Sequence, residues 1–299
     1  MKILYFSDNY TYHVMGTKRS IFTEVKRRGH DIRWLNKTHI GKVVQLEKMY
    51  KPDQIWLAHS NLLLPVNIKA QLNSTVVGFG FSDPYYFKPT RFDSYDVYVT
   101  NHISTLERYK NVIPMFYNPT ACDLSFHKKT FKIKTMDLSL IGCGRHPRFP
   151  NKNERIDFVN KLRDDLPFAS VKTFGRRWPA HEDAAGQIEG QVFLDKIQTS
   201  RIGLDIQAEF SPLAHRMFEY ISCGTPVITR RRPEVDLHLV DGKEIITYAD
   251  YAELLEKVTY YLNHSTVLQR IAMAGYHKVV VKHNIQNRVD TLLNFLTDL

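Results

Sequence analysis

Short runs of β-branched and aromatic residues alternate with amphipathic stretches along almost the whole chain. This alternation constrains the fold more than any other feature. Parallel strands cannot be joined by a tight turn, and each crossover needs a dozen or more residues, usually a helix. The first run, Lys2–Ser7, is followed by a polar loop, a helical pattern over Ser20–Arg28 and a second run, Asp31–Leu35. Gly29 stands where a left-handed helix terminus needs a residue without a side chain. Together these residues predict one βαβ unit. Further strands are expected at Gln54–His59, Thr75–Phe81, Tyr95–Thr100 and Asn111–Tyr117. These runs show little apolar–polar alternation, so both faces of the sheet should be covered.

Between Pro119 and Met136 the pattern lapses into the polar, basic stretch Phe126-His127-Lys128-Lys129-Thr130-Phe131-Lys132. A lapse of this kind marks a domain boundary. A second series then begins, with strands expected at Leu138–Gly142, Ser170–Phe174, Ile202–Ile206, Pro226–Thr229 and Glu244–Tyr248. Helices are expected at Glu154–Asp164, Val192–Ser200, Ala214–Ser222, Tyr251–Asn263, Val267–His283 and Asn287–Leu299. The expected fold class is therefore α/β, with two doubly wound, Rossmann-like halves in tandem. The predicted domains are residues 1–130, residues 131–282 and a terminal helical segment, 283–299.

Composition narrows the function classes. The N-terminus reaches Asp8 after a short apolar run, unlike a secretory signal. No stretch approaches the roughly 20 apolar residues of a membrane span. The three cysteines, Cys122, Cys143 and Cys223, are widely spaced and lack zinc-ligand spacing, as expected of small residues in a reducing cytoplasm. The net charge of +10 is uneven: residues 1–130 hold 18 Lys and Arg against 10 Asp and Glu. A basic first domain raises the local concentration of polyanions.

Two segments carry a family resemblance. Ser7-Asp8-Asn9-Tyr10, His13-Val14-Met15-Gly16-Thr17-Lys18-Arg19 and Glu24-Val25-Lys26-Arg27-Arg28-Gly29-His30 are similar to the opening of many GT-B glycosyltransferases. In those proteins a strand enters a glycine-bearing loop and a helix ending in Arg-Gly-His. The family loop usually carries paired glycines, and here Met15 precedes Gly16. The second segment, Ser211 to Thr229, contains Arg216-Met217-Phe218-Glu219 and Cys223-Gly224-Thr225-Pro226-Val227-Ile228. It resembles the donor-site signature of the superfamily and, more narrowly, the spore-maturation-protein-like and group 1 glycosyltransferases. The resemblance covers roughly residues 1–35 and 136–299. It implies a GT-B fold with a cleft between two domains, an N-terminal acceptor domain and a C-terminal domain binding a nucleotide sugar. It also implies a last helix crossing back to the first domain.

The residue types suit that chemistry. A diphosphate needs cations or backbone N–H donors, which the start of a helix at His215 and Arg216 would supply. Glu219 shares a helix face with Arg216, and the resemblance assigns its position to the ribose. Gly142, Arg145, Gly175 and Arg176 follow strand ends, where ligands of open α/β sheets bind and where glycine admits close approach. Family members often carry an acid eight residues before the ribose carboxylate; this chain has Ser211 there, with Glu209 nearby. On the acceptor side Asp83 and His13 are the catalytic candidates, with His59 and His102 behind them. A positioned base must reach the acceptor hydroxyl in an inverting enzyme.

The expected activity is transfer of a sugar from a nucleoside-diphosphate sugar, first of all a UDP-sugar, without a metal ion or other cofactor. The acceptor hydroxyl would lie on a polyanion, such as hydroxymethylated phage DNA or a cell-envelope or spore polymer. DNA would be met through Lys18-Arg19, Lys26-Arg27-Arg28, Lys128-Lys129 and Arg230-Arg231-Arg232. A non-catalytic binding or coat protein of the same fold, or a nucleotide-sugar epimerase, remain the alternatives.

Overall fold

The computed structural model describes residues 1–8, 17–59, 62–81, 89–145, 151–180, 184–207 and 212–299. The chain forms two units. One comprises Met1–Ala121 with Ile285–Leu299, the other Cys122–Asn284.

The first unit holds a parallel six-stranded sheet: β1 (Lys2–Ser7), β2 (Asp31–Asn36), β3 (Gln54–Leu57), β4 (Thr75–Gly80), β5 (Val97–Thr100) and β6 (Met115–Tyr117). Their spatial order is β2-β1-β3-β4-β5-β6. Side chains alternate across a strand, so β1 sends Ile3 and Tyr5 into one apolar layer and Leu4 and Phe6 into the other. Both faces are buried, which is why the run reads as continuously apolar. The helices are α1 (Thr17–Arg27), α2 (Val43–Tyr50), α3 (Val66–Lys69) and α4 (Ile103–Tyr109). Ile21 and Val25 of α1 join the first layer, whereas Val43 and Tyr50 of α2 join the second. Gly29 has φ +84° and donates its N–H to the Lys26 carbonyl at 3.0 Å, ending α1.

The sequence shows no sign of α2. Its N-cap is Lys42, which makes no capping bond, and its left-handed C-cap is Lys51 rather than glycine. Tertiary contact replaces the missing caps: Glu47, buried in α2, accepts from the Asn73 and Ser74 N–H groups and the Ser74 hydroxyl.

The second unit has its own parallel sheet, with β7 (Met136–Ile141), β8 (Val171–Phe174), β9 (Ala184–Ala185), β10 (Ser200–Asp205), β11 (Val227–Arg230) and β12 (Ile246–Tyr248). The order is β12-β11-β10-β7-β8-β9. Its helices are α5 (Glu154–Asp165), α6 (Gly190–Gln198), α7 (His215–Ser222), α8 (Pro233–Asp236), α9 (Tyr251–Asn263) and α10 (Ser265–Lys282). The final helix, α11 (Ile285–Thr297), packs Val289, Leu292, Leu293 and Leu296 into the first unit's core beside Ile3 and Tyr5.

The units divide before residue 130 for an identifiable reason. Cys122 donates its N–H to the His283 carbonyl at 3.1 Å, and it forms a parallel bridge with Asn284. Gln198 donates to the Lys128 carbonyl at 2.7 Å. The polar stretch read as a boundary is thus docked on the second unit. All three cysteines are free, and burial pushes the Cys122 and Cys223 thiols up to about 12. Among the described residues, no helix is long and apolar enough to cross a membrane.

Candidate functional site

In each sheet the chain winds outward in both directions from its first strand. Ligands of open α/β sheets bind beyond the carboxyl ends of the strands at that switch point. In the second unit the switch lies between β7 and β10. Arg155 of α5, almost fully buried, fixes it: its guanidinium donates to the Cys143 carbonyl after β7 and to the Ile206 carbonyl after β10. Glu154-Arg155 after the β7 run also fits the family resemblance, but the two carbonyls that Arg155 joins lie on loops far apart in sequence, so its bracing role could not be read from spacing.

Helix α7 starts on this edge. Ala214 is its N-cap and contributes no side-chain bond. The helix is held down by buried Met217, Phe218 and Ile221 and by the Tyr220 hydroxyl, 2.7 Å from Ser139 Oγ. This packing turns Arg216 and Glu219 to one side. Arg216 donates from Nη1 to Glu219 Oε2 at 2.7 Å, and its guanidinium lies 4.3 Å from the Phe193 ring centroid. Glu219 is only 10% exposed at its side chain, against 31% for Arg216. Its other oxygen faces His127 Nε2 at 3.5 Å. Burial by itself would raise the Glu219 carboxyl, but the charges of Arg216, His127 and His215 outweigh it and hold the group below the usual carboxylate range. The result is a fixed carboxylate with a half-exposed guanidinium in front of it. His127 belongs to the stretch between the two series and meets Glu219 across 92 positions of chain, so no local spacing could reveal it.

Gly142 and Gly175 also come together, but through each other. A Cβ on Gly175 would lie 2.1 Å from the Gly142 carbonyl oxygen, and φ is +131°. The Gly142 carbonyl accepts from Trp178 Nε1 at 2.8 Å. Both glycines therefore serve contact between the loops after β7 and β8. Arg145 is exposed, with its N–H directed to the Arg177 carbonyl at 3.3 Å. Arg176 is exposed and bonds Gln187. His215 opens α7, half-buried. His13, Asp83, Glu209 and Ser211 lie outside the described residues.

In the first unit the switch lies between β1 and β3, and a charged group closes it. Asp8 pairs with Lys18 at 2.7 Å, Lys37 at 2.7 Å and His59 Nε2 at 3.1 Å. The sequence singled out His59 and Lys18 separately, and Asp8 is the residue that unites them. His102 is buried at the start of α4, with Nδ1 2.7 Å from Ser104 Oγ.

Burial favours the neutral form of Asp8, but hydrogen bonds from Lys18 and Lys37 and the charge of His59 hold its carboxyl far below the ordinary 3.8. A depressed carboxylate contributes stability that is present above its unfolded value and is lost as pH falls through the folded value. Asp8→Asn is therefore expected to reduce the loss of stability on acidification below about pH 4. Denaturant titrations at several pH values check this, and an unchanged pH dependence would contradict it.

The basic groups expected to meet a polyanion are largely engaged by the protein itself. Arg27 and Arg28 pair with Glu24, and Arg28 also with Asp290. Arg231 pairs with Asp241 and Glu253, and Arg232 is buried 3.6 Å from Asp205. Among the described residues, no group of three or more His, Cys, Asp and Glu side chains could hold a metal ion.

Residues 154–294, which include α7, match a family described as glycosyl transferase-like. No curated protein matches the sequence. Among solved structures, HepE (Alr3699) from Anabaena in complex with UDP and glucose is similar, with a TM-score of 0.78 at 11% identity and 100% of each chain covered. A glycosyltransferase from Rickettsia africae ESF-5 gives 0.75 at 9% identity, covering 99% of this chain and 98% of that one. Sucrose-phosphate synthase from Thermosynechococcus elongatus gives 0.70 at 11% identity, covering 100% and 98%. The chain has the GT-B fold, and the glycosyl transferase-like region spans most of its second unit and the first part of α11.

Proposed function

We propose that the protein transfers a sugar from a nucleoside-diphosphate sugar, held by the second unit, to a hydroxyl acceptor. The observation that carries this reading is the Arg216–Glu219 pair at the switch-point edge, within the region matching the glycosyl transferase-like family. A UDP-sugar is the first donor to try, since HepE is solved with UDP and glucose.

The roles follow from charge. The bond from the anomeric carbon to the diphosphate breaks while a bond to the acceptor oxygen forms, and the acceptor proton leaves. Negative charge grows on the departing diphosphate. Arg216 and the positive end of α7 stabilise it as it forms, and fixed donors need no reorganisation at that moment. Glu219 orients Arg216 and offers carboxylate lone pairs to the ribose hydroxyls. This electrostatic scheme runs without a metal ion. The acceptor is assigned to the first unit, where Asp83 or His13 would take the proton. The excess of basic residues there keeps a polyanion, DNA or an envelope polymer, among the acceptors to screen.

Product analysis tests the reaction class. On incubation with UDP-glucose alone, slow release of UDP and glucose is expected, and an added acceptor should accelerate UDP release. Formation of an isomeric UDP-sugar without release of UDP would make the protein an epimerase. Binding with no conversion under any acceptor would make it a binding protein.

A further inference from the structure

A cavity lies at the amino edge of the second unit's sheet, where β7, β10 and β11 begin. Its volume is about 740 Å³. The walls are the segment Lys129–Lys134, the turn from Cys223 to Pro226 that joins α7 to β11, and α10 through Leu268 and Met273. Pockets of this size suit small-molecule ligands. The site is separate from the Arg216–Glu219 pair, because the two open on opposite ends of parallel strands.

Its charges are unbalanced. Lys132 pairs with Asp195 and Arg201 with Asp137, each at 3.0 Å. Lys129 and Lys134 meet no carboxylate among the described residues. The Lys129 ammonium lies 2.8 Å from the Met273 sulfur and 5.1 Å from the Tyr276 ring centroid. Lys134 donates to the Gln198 carbonyl at 2.9 Å and to Thr225 Oγ1 at 3.3 Å, both neutral acceptors. An ammonium has three donors, so one is left for a ligand. Desolvation pushes Lys134 down to about 8, as expected of a cation without a counter-charge.

The mouth of this cavity is apolar. Phe131 is 98% exposed and Ile133 is 78% exposed, the highest values among the large apolar side chains described. They alternate with Lys132 and Lys134, and Lys128 is exposed just before them. Aromatic and aliphatic side chains held in water beside cations match the boundary between headgroups and acyl chains.

We propose that this pocket and its rim bind an anionic phospholipid at a membrane surface. Lys129 and Lys134 take the headgroup phosphate, Phe131 and Ile133 enter the acyl region, and Lys128 adds attraction to the negative leaflet. The protein would thereby work at a membrane without spanning it.

The test is co-sedimentation with vesicles of phosphatidylcholine alone and with added phosphatidylglycerol. Binding to the anionic vesicles is expected to be at least about tenfold tighter and to weaken with salt. The double variant Phe131→Ser with Ile133→Ser should lose about tenfold of this affinity, and Lys129→Gln with Lys134→Gln a similar factor. Phe131 is so exposed that its replacement leaves the core intact; Lys129→Gln alone serves if the lysine pair unfolds. All variants should bind UDP as the parent does, which separates this site from the donor reading. Equal binding to both vesicle types, or variants that sediment like the parent, would overturn the proposal. So would binding of dodecyl phosphate in solution without binding of vesicles, since the pocket would then take a soluble amphiphile.

Discussion

In Glu219→Gln, affinity for the nucleotide-sugar donor is expected to fall by roughly 30-fold or more, from about 2–5 kcal/mol for truncating one partner of a buried, hydrogen-bonded charge pair. Glutamine preserves the shape and removes the charge that holds Arg216 Nη1 at 2.7 Å. Arg216 would lose its fixed position, and the ribose hydroxyls would lose a charged acceptor. Arg216 keeps 31% of its side chain exposed, so water can take over part of the lost bond and the fold should lose only about 1–2 kcal/mol. Affinity should therefore drop far more than stability, and calorimetric titration beside a thermal melt reads both. The pH dependence has a definite sign. The Glu219 carboxyl is held below its ordinary 4.5, so its contribution is present above that value and is lost only as pH falls through the lower, folded value. An unchanged donor affinity in Glu219→Gln would remove this carboxylate from the site.

Gly175→Ala is expected to be the most damaging single methyl group. The new Cβ would stand 2.1 Å from the Gly142 oxygen and 2.7 Å from its carbonyl carbon, with φ at +131°. The obstacle is backbone, so no side-chain rotation relieves it. A disfavoured backbone region costs about 1–3 kcal/mol, and the clash should bring the total to about 4 kcal/mol, at the upper end for point substitutions. For a domain of this size each kcal/mol lowers Tm by about 2–4 °C, so a drop of about 12 °C is expected in a thermal scan. Gly186→Ala is the control, since nothing lies within 4 Å of a Cβ there. Similar melting of the two variants would refute the close-approach account.

Local signals made much of this fold legible. Helix α9 was readable to the residue: its amphipathic run starts just after Asp250, which caps it by accepting from the Glu253 N–H at 2.9 Å, while Glu253 accepts from the Ala249 N–H. The ending of α1 was readable because only Gly29 suits the turn that follows. Helix α2 was not, since its ends are capped by lysines and its stability comes from Glu47 reaching Ser74. The candidate site divides in the same way. Arg216 and Glu219 are three residues apart on one helix and could be paired from spacing. His127 beside Glu219, Asp8 beside His59 and Lys37, and Arg155 between two loops are long-range meetings that only the fold creates. Gly175 was legible as a glycine with a backbone reason, but the backbone it meets is Gly142 rather than a ligand.

On the proposed function, the carboxyl edge of the second sheet holds a nucleoside diphosphate through Arg216 and Glu219. Isothermal titration of the intact protein with UDP and UDP-glucose, repeated for Arg216→Met, tests it most directly. The parent protein should bind the nucleotide saturably, and Arg216→Met, which removes the guanidinium proposed to meet the diphosphate, should lose roughly tenfold or more in affinity. Affinity unchanged by Arg216→Met, or no binding of UDP and UDP-glucose or of the other nucleoside diphosphates, would contradict it.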